Sequence, residues 1–208
     1  MTPAEPKPPT QPSVDPPPAP SARRSELLEL AYRHVLAHGL TGLSLRPLAA
    51  AVGSSPRVLL YLFGSKEGLV RALLARARAD ELALLERARR TSSARAPAGL
   101  AGAVTRLWSW LVADEHRPLL ALWVEGYARS LVEPDGPWAG FARATVDDWL
   151  AELSTVQPGA ERNTAAGRAR RTLALAVLRG ALLDLLATGD VARTTAAVRT
   201  QVRLLDAR

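Results

Sequence analysis

The sequence contains no cysteine and only three histidines, so the side chains that most often form metal and redox sites are absent or scarce. Without thiols the chain can form neither a disulfide framework nor a thiolate metal site. His34 and His38 have the spacing of a two-histidine metal pair on a helix, but no third ligand accompanies them. We therefore expect no metal and no cofactor, and interpret this pair as a partly exposed helix face.

Long apolar runs are also missing, and no stretch approaches the roughly 18 residues that a membrane span needs. The first twenty residues are rich in proline and polar, without the apolar centre of a signal peptide. The sequence contains no nucleophile–base pair, and no phosphate-binding glycine loop follows a strand. These absences predict a cytoplasmic protein that does not contact membranes and is not an enzyme.

Positive charge is concentrated in one third of the chain. The formal net charge is +7, made up of −1 in residues 1–20, +6 in residues 21–90 and +2 in residues 91–208. A basic region is the electrostatic signature of a nucleic-acid-binding surface. The alternative is that arginine-rich helices are simply frequent in a chain so rich in alanine and arginine, and the charge alone does not decide between the two.

The basic region contains a helix-turn-helix pattern in residues 44–74. Ser44 is a suitable N-cap for a first short helix, which Gly53 ends because glycine tolerates positive φ. A second helix, Pro56–Phe63, has proline at its first position, where the missing N–H costs nothing. Gly64 ends this helix, and a long helix begins at Lys66. Two short helices around a tight turn are typical of a DNA-reading motif.

The same stretch resembles the DNA-binding domain of the tetracycline-repressor (TetR) family of transcriptional regulators. The resemblance covers residues 24–74 and lies in S-L-R-x-L-A-x-x-V-G-x-S followed by L-L-Y-x-F-G-S-K-E-G-L. Many family members have a phosphate-contacting tyrosine directly after the leucine of their third helix. In this chain Leu60 occupies that place, and the tyrosine follows at Tyr61.

Seven residues are candidate DNA contacts. The apolar side of Pro56–Phe63 is needed for packing, which leaves four residues to face the groove: Ser54, Ser55, Arg57 and Tyr61. Among them Arg57 can make the bidentate contact to guanine. The family resemblance adds three positions at the backbone or groove edge: Ser44, Arg46 and Lys66.

The whole chain predicts an all-α protein, because no segment alternates like a strand. We expect a disordered Pro-rich tail in residues 1–20 and a three-helix DNA-binding domain in residues 21–74. A fourth helix, Lys66–Arg90, joins this domain to a helical ligand-binding and dimerisation domain in residues 75–208. The remaining predicted helices cover 99–113, 117–132, 137–156, 161–188 and 191–206, and a loop covers 91–98.

Aromatic residues gather in residues 108–149, which contain all five tryptophans. They can line a small-molecule cavity, since such pockets are mostly apolar, or they can be ordinary core. The candidate ligand contacts are Trp108, Leu111, Trp123, Tyr127, Trp138 and Phe141.

The helix in residues 170–187 is apolar nearly all round, so it must be buried on more than one side. In a chain of this size the second burying surface is expected to be another subunit. The resemblance implies the same, because the penultimate helix of the family forms a four-helix dimer interface with the helix at residues 137–156. The candidate interface residues are Trp149, Val177, Gly180, Ala181, Asp184 and Leu185.

These observations predict a homodimeric transcriptional regulator that binds double-stranded DNA at a near-palindromic operator. We expect a repressor that a small hydrophobic effector releases from DNA. The alternative is an all-α DNA-binding regulator with no effector, whose aromatic cluster is plain core. An empty apolar cavity near the aromatic residues favours the first hypothesis, and a filled core favours the second.

Overall fold

The computed structural model of the chain describes residues 20–90 and 99–206. Within these residues all regular structure is helical, which confirms the all-α prediction. The predicted tail in residues 1–20 falls outside the described residues except for its last position, and the predicted loop in residues 91–98 falls outside them entirely. The helices are α1 (Pro20–His38), α2 (Leu45–Ala51), α3 (Pro56–Phe63), α4 (Lys66–Arg90), α5 (Gly99–Leu111), α6 (Arg117–Val132), α7 (Phe141–Thr155), α8 (Gly159–Arg162), α9 (Ala165–Thr188) and α10 (Val191–Asp206).

Local sequence features determine where the short helix α3 begins and ends. At its start the Ser55 hydroxyl accepts a hydrogen bond from the backbone N–H of Val58, 3.3 Å away, a cap that contributes about 1 kcal/mol. At its end Gly64 has φ +78°, a conformation that costs other residues free energy. On the inner side of the helix Leu59 and Phe63 are buried. A helix this short is stable only through such packing.

Helix α4 links the short helices to the rest of the protein. Its 25 residues span about 37 Å at 1.5 Å per residue. It packs on α1, α3, α5, α6 and α7. Between α1 and α4, Arg76 donates to Glu29 at 2.5 Å and also contacts Asp80. The Tyr32 hydroxyl donates to Asp80 at 2.9 Å. These bonds hold the two helices in one register.

Two predicted helix boundaries differ from the structure. Helix α7 begins at Phe141, four residues later than predicted, because residues 137–140 form turns in which the N–H of Phe141 bonds to the carbonyl of Trp138. The predicted helix at 161–188 is two helices, α8 and α9, with a break before Thr164. The Thr164 hydroxyl caps α9 by accepting from the N–H of Gly167 at 2.9 Å. A Cβ on Gly167 would lie 2.0 Å from the carbonyl oxygen of Glu161, so only glycine fits there.

The buried apolar residues form one core that continues from α1 to α10 without a break at residue 74. Helix α5 lies against α9 and α10, and α7 lies against α6 and α9. None of the described helices has the length and hydropathy that crossing a membrane requires.

Helix α6 also reaches the turn between α1 and α2 through a single carboxylate. One oxygen of Glu125 accepts from the backbone N–H of Leu40 at 2.9 Å, and the other accepts from the hydroxyl of Thr41. This carboxylate therefore fixes the start of the helix-turn-helix to a helix of the larger helical body.

We predict that Glu125→Ala lowers the free energy of unfolding by about 1–3 kcal/mol, because the N–H of Leu40 loses its partner. Amide hydrogen exchange at Leu40 should accelerate as well. Glu125→Gln is the matched control, since its amide oxygen can still accept from that N–H. Unchanged exchange at Leu40 in the alanine variant would contradict the assigned contact.

Candidate functional site

The outer surface of α3 carries side chains that the core does not use. Tyr61 is 78% exposed, Leu60 is 40% exposed and Val58 is 37% exposed, and Arg57 is exposed beside them. Three large exposed side chains on one short helix can form an apolar patch, and such patches often mark an interaction site. The surface combines an arginine with apolar groups, which is the chemistry that reads guanine and the thymine methyl group in a major groove.

The other candidate DNA contacts differ in their availability. Arg46 and Lys66 are exposed, and Ser44 is exposed at the N-cap position of α2. The side chain of Ser44 makes no cap hydrogen bond, contrary to the expectation for a serine at this position, so its hydroxyl remains available. Ser55 is exposed, but its hydroxyl accepts from the N–H of Val58. The hydroxyl of Ser54 is buried without a hydrogen-bond partner and does not lie on the open surface.

A second feature is a cavity enclosed by five helices, α4, α5, α6, α7 and α9. Its walls are mainly leucines and tryptophans, with one acid and one base among them. Its volume is about 20 Å³, on a scale on which one water needs roughly 10–15 Å³. The lining residues are Glu81, Trp110, Leu111, Leu119, Leu120, Trp123, Trp149, Leu178, Arg179 and Leu182.

Glu81 of α4 is the acid in this cavity, and it is 6% exposed. One of its carboxyl oxygens accepts a hydrogen bond from the indole N–H of Trp149. Burial disfavours the charged carboxylate and raises its pKa to about 7, with the hydrogen bond from Trp149 acting in the opposite direction. Near neutral pH this group therefore exchanges between a neutral acid and an anion.

Arg179 of α9 is the base, and its guanidinium lies over two aromatic rings. Its carbon Cζ is 5.6 Å from the ring centre of Trp123 and 5.0 Å from that of Tyr127. One terminal nitrogen, Nη1, donates to the Tyr127 hydroxyl at 3.3 Å. Burial lowers the pKa of Arg179 below its ordinary value. A guanidinium nevertheless keeps its positive charge in proteins.

The six candidate ligand contacts do not all lie at the cavity. Leu111 and Trp123 line the cavity, and Tyr127 lies directly behind Trp123 at 5.2 Å between ring centres. Trp108 does not line it, because its indole N–H donates to Thr195 of α10 at 2.9 Å. Trp138 and Phe141 are buried nearer the start of α4, where they line two other surface depressions.

The candidate interface residues also occupy different places. Gly180 and Asp184 are exposed on α9, and Val177 and Ala181 are partly buried. Leu185 points into the core of its own chain. Trp149 is buried and lines the cavity, so its side chain contributes to that wall and not to an open surface.

Comparison with known proteins supports the interpretation of the short helices α2 and α3 as a DNA-binding motif. Residues 27–73 match the family model described as "Bacterial regulatory proteins, tetR family". These residues form a DNA-binding domain of the TetR family of transcriptional regulators. No curated protein matches the chain at a significant level. This confirms the resemblance seen in the sequence and makes the chain a DNA-binding transcriptional regulator, a class of protein that is not enzymatic.

Solved structures match this chain over most of its length. A transcriptional regulator from Rhodococcus sp. Rha1 is 21% identical with a TM-score of 0.69, over 87% of this chain and 94% of that one. A TetR transcription regulator from Haloarcula marismortui is 17% identical with a TM-score of 0.65, over 90% and 98%. The multidrug binding protein EbrR, complexed with imidazole, is 25% identical with a TM-score of 0.65, over 88% and 89%. The regulators of this family act as dimers.

Several residues of the chain were not among the candidates from the sequence. Glu81 and Arg179 line the cavity, and Leu60 is exposed on α3. Trp110 also lines the cavity; the sequence placed it in the aromatic group but not among the six candidate ligand contacts. A signal for Arg179 was present, because it interrupts an otherwise apolar helical run. A charged side chain in such a run must find a partner or a polar space, since its burial is costly.

We predict that Glu81 makes the stability of this regulator fall as the pH rises from about 5 to 8. The folded protein holds the Glu81 proton up to pH about 7, whereas an accessible glutamate carboxyl has a pKa of 4.5. Between these values the unfolded chain binds fewer protons, so unfolding becomes easier by up to about 3 kcal/mol. Chemical denaturation of wild type and Glu81→Gln at pH 5, 6.5 and 8 measures the difference.

The matched control is Asp147→Asn, which removes an exposed acid from α7. Its pH dependence should follow that of wild type, whereas Glu81→Gln should gain stability relative to wild type as the pH rises. Parallel curves for wild type and Glu81→Gln would show that Glu81 does not titrate in this range.

Proposed function

We propose that this protein is a homodimeric repressor that a small, largely apolar ligand releases from a near-palindromic operator. In this proposal residues 21–74 bind DNA, and residues 75–208 bind the effector and form the dimer. The dimer places two α3 helices in successive major grooves, about 34–36 Å apart. The ligand stabilises a second arrangement whose spacing does not fit the operator.

The observation that supports this proposal best is that two helices run from the cavity to the DNA-reading motif. Helix α4 begins with Lys66 beside α3 and carries Glu81 into the cavity wall. Helix α6 contributes Trp123 to the same wall and, two residues later, bonds the α1–α2 turn through Glu125. A ligand that moves either wall must therefore move a helix that contacts the helix-turn-helix.

A ligand is also consistent with the neighbouring structures. EbrR is described as a multidrug binding protein, and it was solved in complexes with imidazole and with proflavin. For this chain we propose the cavity around Trp123 as the ligand site, and binding there would require its walls to separate.

One observation favours the alternative of a regulator without an effector. A volume of about 20 Å³ accommodates about one water, whereas ligand pockets commonly measure 300–1,000 Å³. In that case the aromatic cluster is core, and the DNA affinity of the protein should not respond to small apolar molecules.

For DNA reading we propose Arg57 as the base contact and Lys66 and Arg46 as backbone contacts. Ser44 and Tyr61 are placed to add hydrogen bonds to phosphate, with Ser55 at the same edge. Ser54, with its hydroxyl buried, contributes through the α2–α3 turn. The exposed side of Leu60 is suited to a thymine methyl group.

For dimerisation we propose one face of α9, which we call the α9 face. Five exposed positions at helical spacing compose it, and none of them is charged: Leu173, Ala176, Gly180, Leu183 and Ala187. Small residues at the centre of such a face let a second helix approach closely. Leu173 and Leu183 are 53% and 52% exposed, which is unfavourable unless another surface covers them.

We predict that Arg57→Ala costs roughly 1–3 kcal/mol of DNA-binding free energy per half-site and relaxes the preference at one base pair. Lys66→Ala should instead weaken binding to all sequences about equally and flatten the dependence on salt, since it removes a phosphate contact. Titrations on operator and scrambled DNA at several salt concentrations separate the two behaviours. A uniform loss of affinity in Arg57→Ala, with preference intact, would make Arg57 a phosphate contact.

We predict that Leu183→Glu separates the dimer, because two carboxylates would have to be buried against each other at a cost of several kcal/mol. Sedimentation should then give the mass of one chain, 22.3 kDa, with helical content unchanged. Leu204→Glu on α10 is the control, with the same chemistry at a residue that is 66% exposed and lies outside the α9 face. A stable dimer of Leu183→Glu that binds operator would contradict this interface.

A further inference from the structure

Unpaired polar atoms are concentrated around the cavity. The described part of the chain has seven buried side-chain nitrogen and oxygen atoms without a hydrogen-bond partner, and five of them belong to the cavity walls. Each such atom costs about 1–3 kcal/mol relative to a paired one. The five atoms are Glu81 Oε2, Trp110 Nε1, Trp123 Nε1, Arg179 Nε and Arg179 Nη2. The Trp123 indole N–H is near enough to the Glu81 carboxyl to lower its pKa, but the two groups do not meet the geometry of a hydrogen bond, so the unpaired atoms of Arg179 and Trp110 carry more weight.

The two free nitrogens of Arg179 are the pair that receives a carboxylate. Nε–H and Nη2–H lie on the same edge of the guanidinium and point in parallel directions, which suits two oxygens of one planar group. The same edge of Arg78 is filled in this protein, since its Nε and Nη2 donate to the two carboxylate oxygens of Asp148 at 2.6 and 2.9 Å. On Arg179 this edge is buried and has no such partner.

The rest of the lining narrows the class of ligand further. The unpaired atoms comprise four N–H donors and one carboxyl oxygen, so the missing group must mainly accept hydrogen bonds. Around them lie five leucines and three indoles, which favour an apolar ring. A cationic ligand would meet the fixed charge of Arg179.

We propose that the effector of this protein is a small aromatic acid whose carboxylate binds the Nε/Nη2 edge of Arg179. The indole N–H of Trp123 completes the site for its oxygens, and its ring lies among the leucines. This inference rests on the proposed effector function and names the chemistry of that same site.

The space for the ring comes from Trp110. This residue lines the cavity on one side and, on the other, a surface groove of about 430 Å³ between α4 and α5. Its ring stacks on His116 at 4.0 Å, and His116 Nδ1 lies 2.9 Å from the Trp110 carbonyl oxygen. Rotation of the indole would join the two spaces into a volume sufficient for a two-ring ligand.

Binding of the acid also determines the state of Glu81. The charged groups facing this carboxyl are Arg78 on α4, Asp148 on α7 and Arg179 on α9. A second anion on Arg179 favours the protonated form of Glu81, whose O–H can then donate to the ligand. Affinity for the acid should consequently fall about tenfold per pH unit once the pH exceeds the pKa of Glu81.

The test uses the full-length protein and three probes: 2-naphthoate, its neutral isostere 2-naphthamide, and the cation proflavin. Tryptophan fluorescence measures binding without DNA, and fluorescence anisotropy of labelled operator measures release. We expect 2-naphthoate to bind at least tenfold more tightly than 2-naphthamide at pH 6.5, because charge-assisted hydrogen bonds are replaced by neutral ones.

Variants of Arg179 and Glu81 test where the carboxylate of 2-naphthoate binds. Arg179→Gln should remove the tenfold preference for the acid over the amide, whereas Arg199→Gln on the exposed side of α10 should retain it. Glu81→Gln should tighten binding of 2-naphthoate at pH 8 and abolish its pH dependence, because no second carboxylate remains. A cation held by Glu81 would show the opposite response.

The outcomes distinguish this inference from the proposed function. Equal or tighter binding of 2-naphthamide or proflavin, or no binding of any probe, would overturn the inference and leave water as the partner of the unpaired atoms. Release of operator by proflavin alone would overturn the inference and support regulation by an effector. Binding of 2-naphthoate in the cavity without release of DNA would support the inference and contradict the proposed regulation.

Discussion

The buried carboxyl of Glu81 is the constraint on which the interior of this protein depends. A carboxylate in an apolar interior is stable only if hydrogen bonds and opposite charge compensate for the lost water. Those groups come from other helices: Trp149 from α7 donates to it, and Arg179 from α9 supplies positive charge. Satisfying one acid on α4 therefore fixes the relative positions of three helices. The compensation is incomplete, since one oxygen remains without a partner.

The same helix transfers this constraint to the DNA-reading motif. Between Lys66 and Glu81 there is no proline, and α4 is helical from end to end, so the segment moves as one unit. The contacts of Arg76 and Tyr32 bind it to α1, and α6 reaches the following turn through Glu125. Packed helices shift between discrete arrangements and do not deform continuously. We therefore expect a change in the surroundings of Glu81 to reach α3 as a displacement of whole helices.

Sequence patterns predicted the short helices more completely than they predicted the cavity. The bounds of α3 follow from Ser55, Pro56 and Gly64, whose effects are local and need no knowledge of the fold. The aromatic residues were predicted as a group, but the periodicity of a single helix does not say which neighbour a ring meets. Trp108 turned toward α10 and Trp149 toward α4, and both orientations depend on how distant segments pack. Packing between distant segments determines the orientation of these two side chains, and the local sequence pattern carries no information about that packing.

A charged residue within an apolar helix indicates part of what the local pattern leaves open, namely which side of the helix faces a polar site. In α9, Arg179 and Gly180 are adjacent, so their side-chain directions differ by about 100° around the helix axis. The first points to the cavity, and the second lies on the exposed α9 face. A ligand held by Arg179 therefore acts on the helix that we propose forms the dimer. A rotation of α9 that improves the contact on one side necessarily changes the surface offered on the other. In the proposed dimer, occupancy of the cavity and the distance between the two α3 helices are therefore thermodynamically coupled. Both depend on the position of α9, which moves as one rigid element.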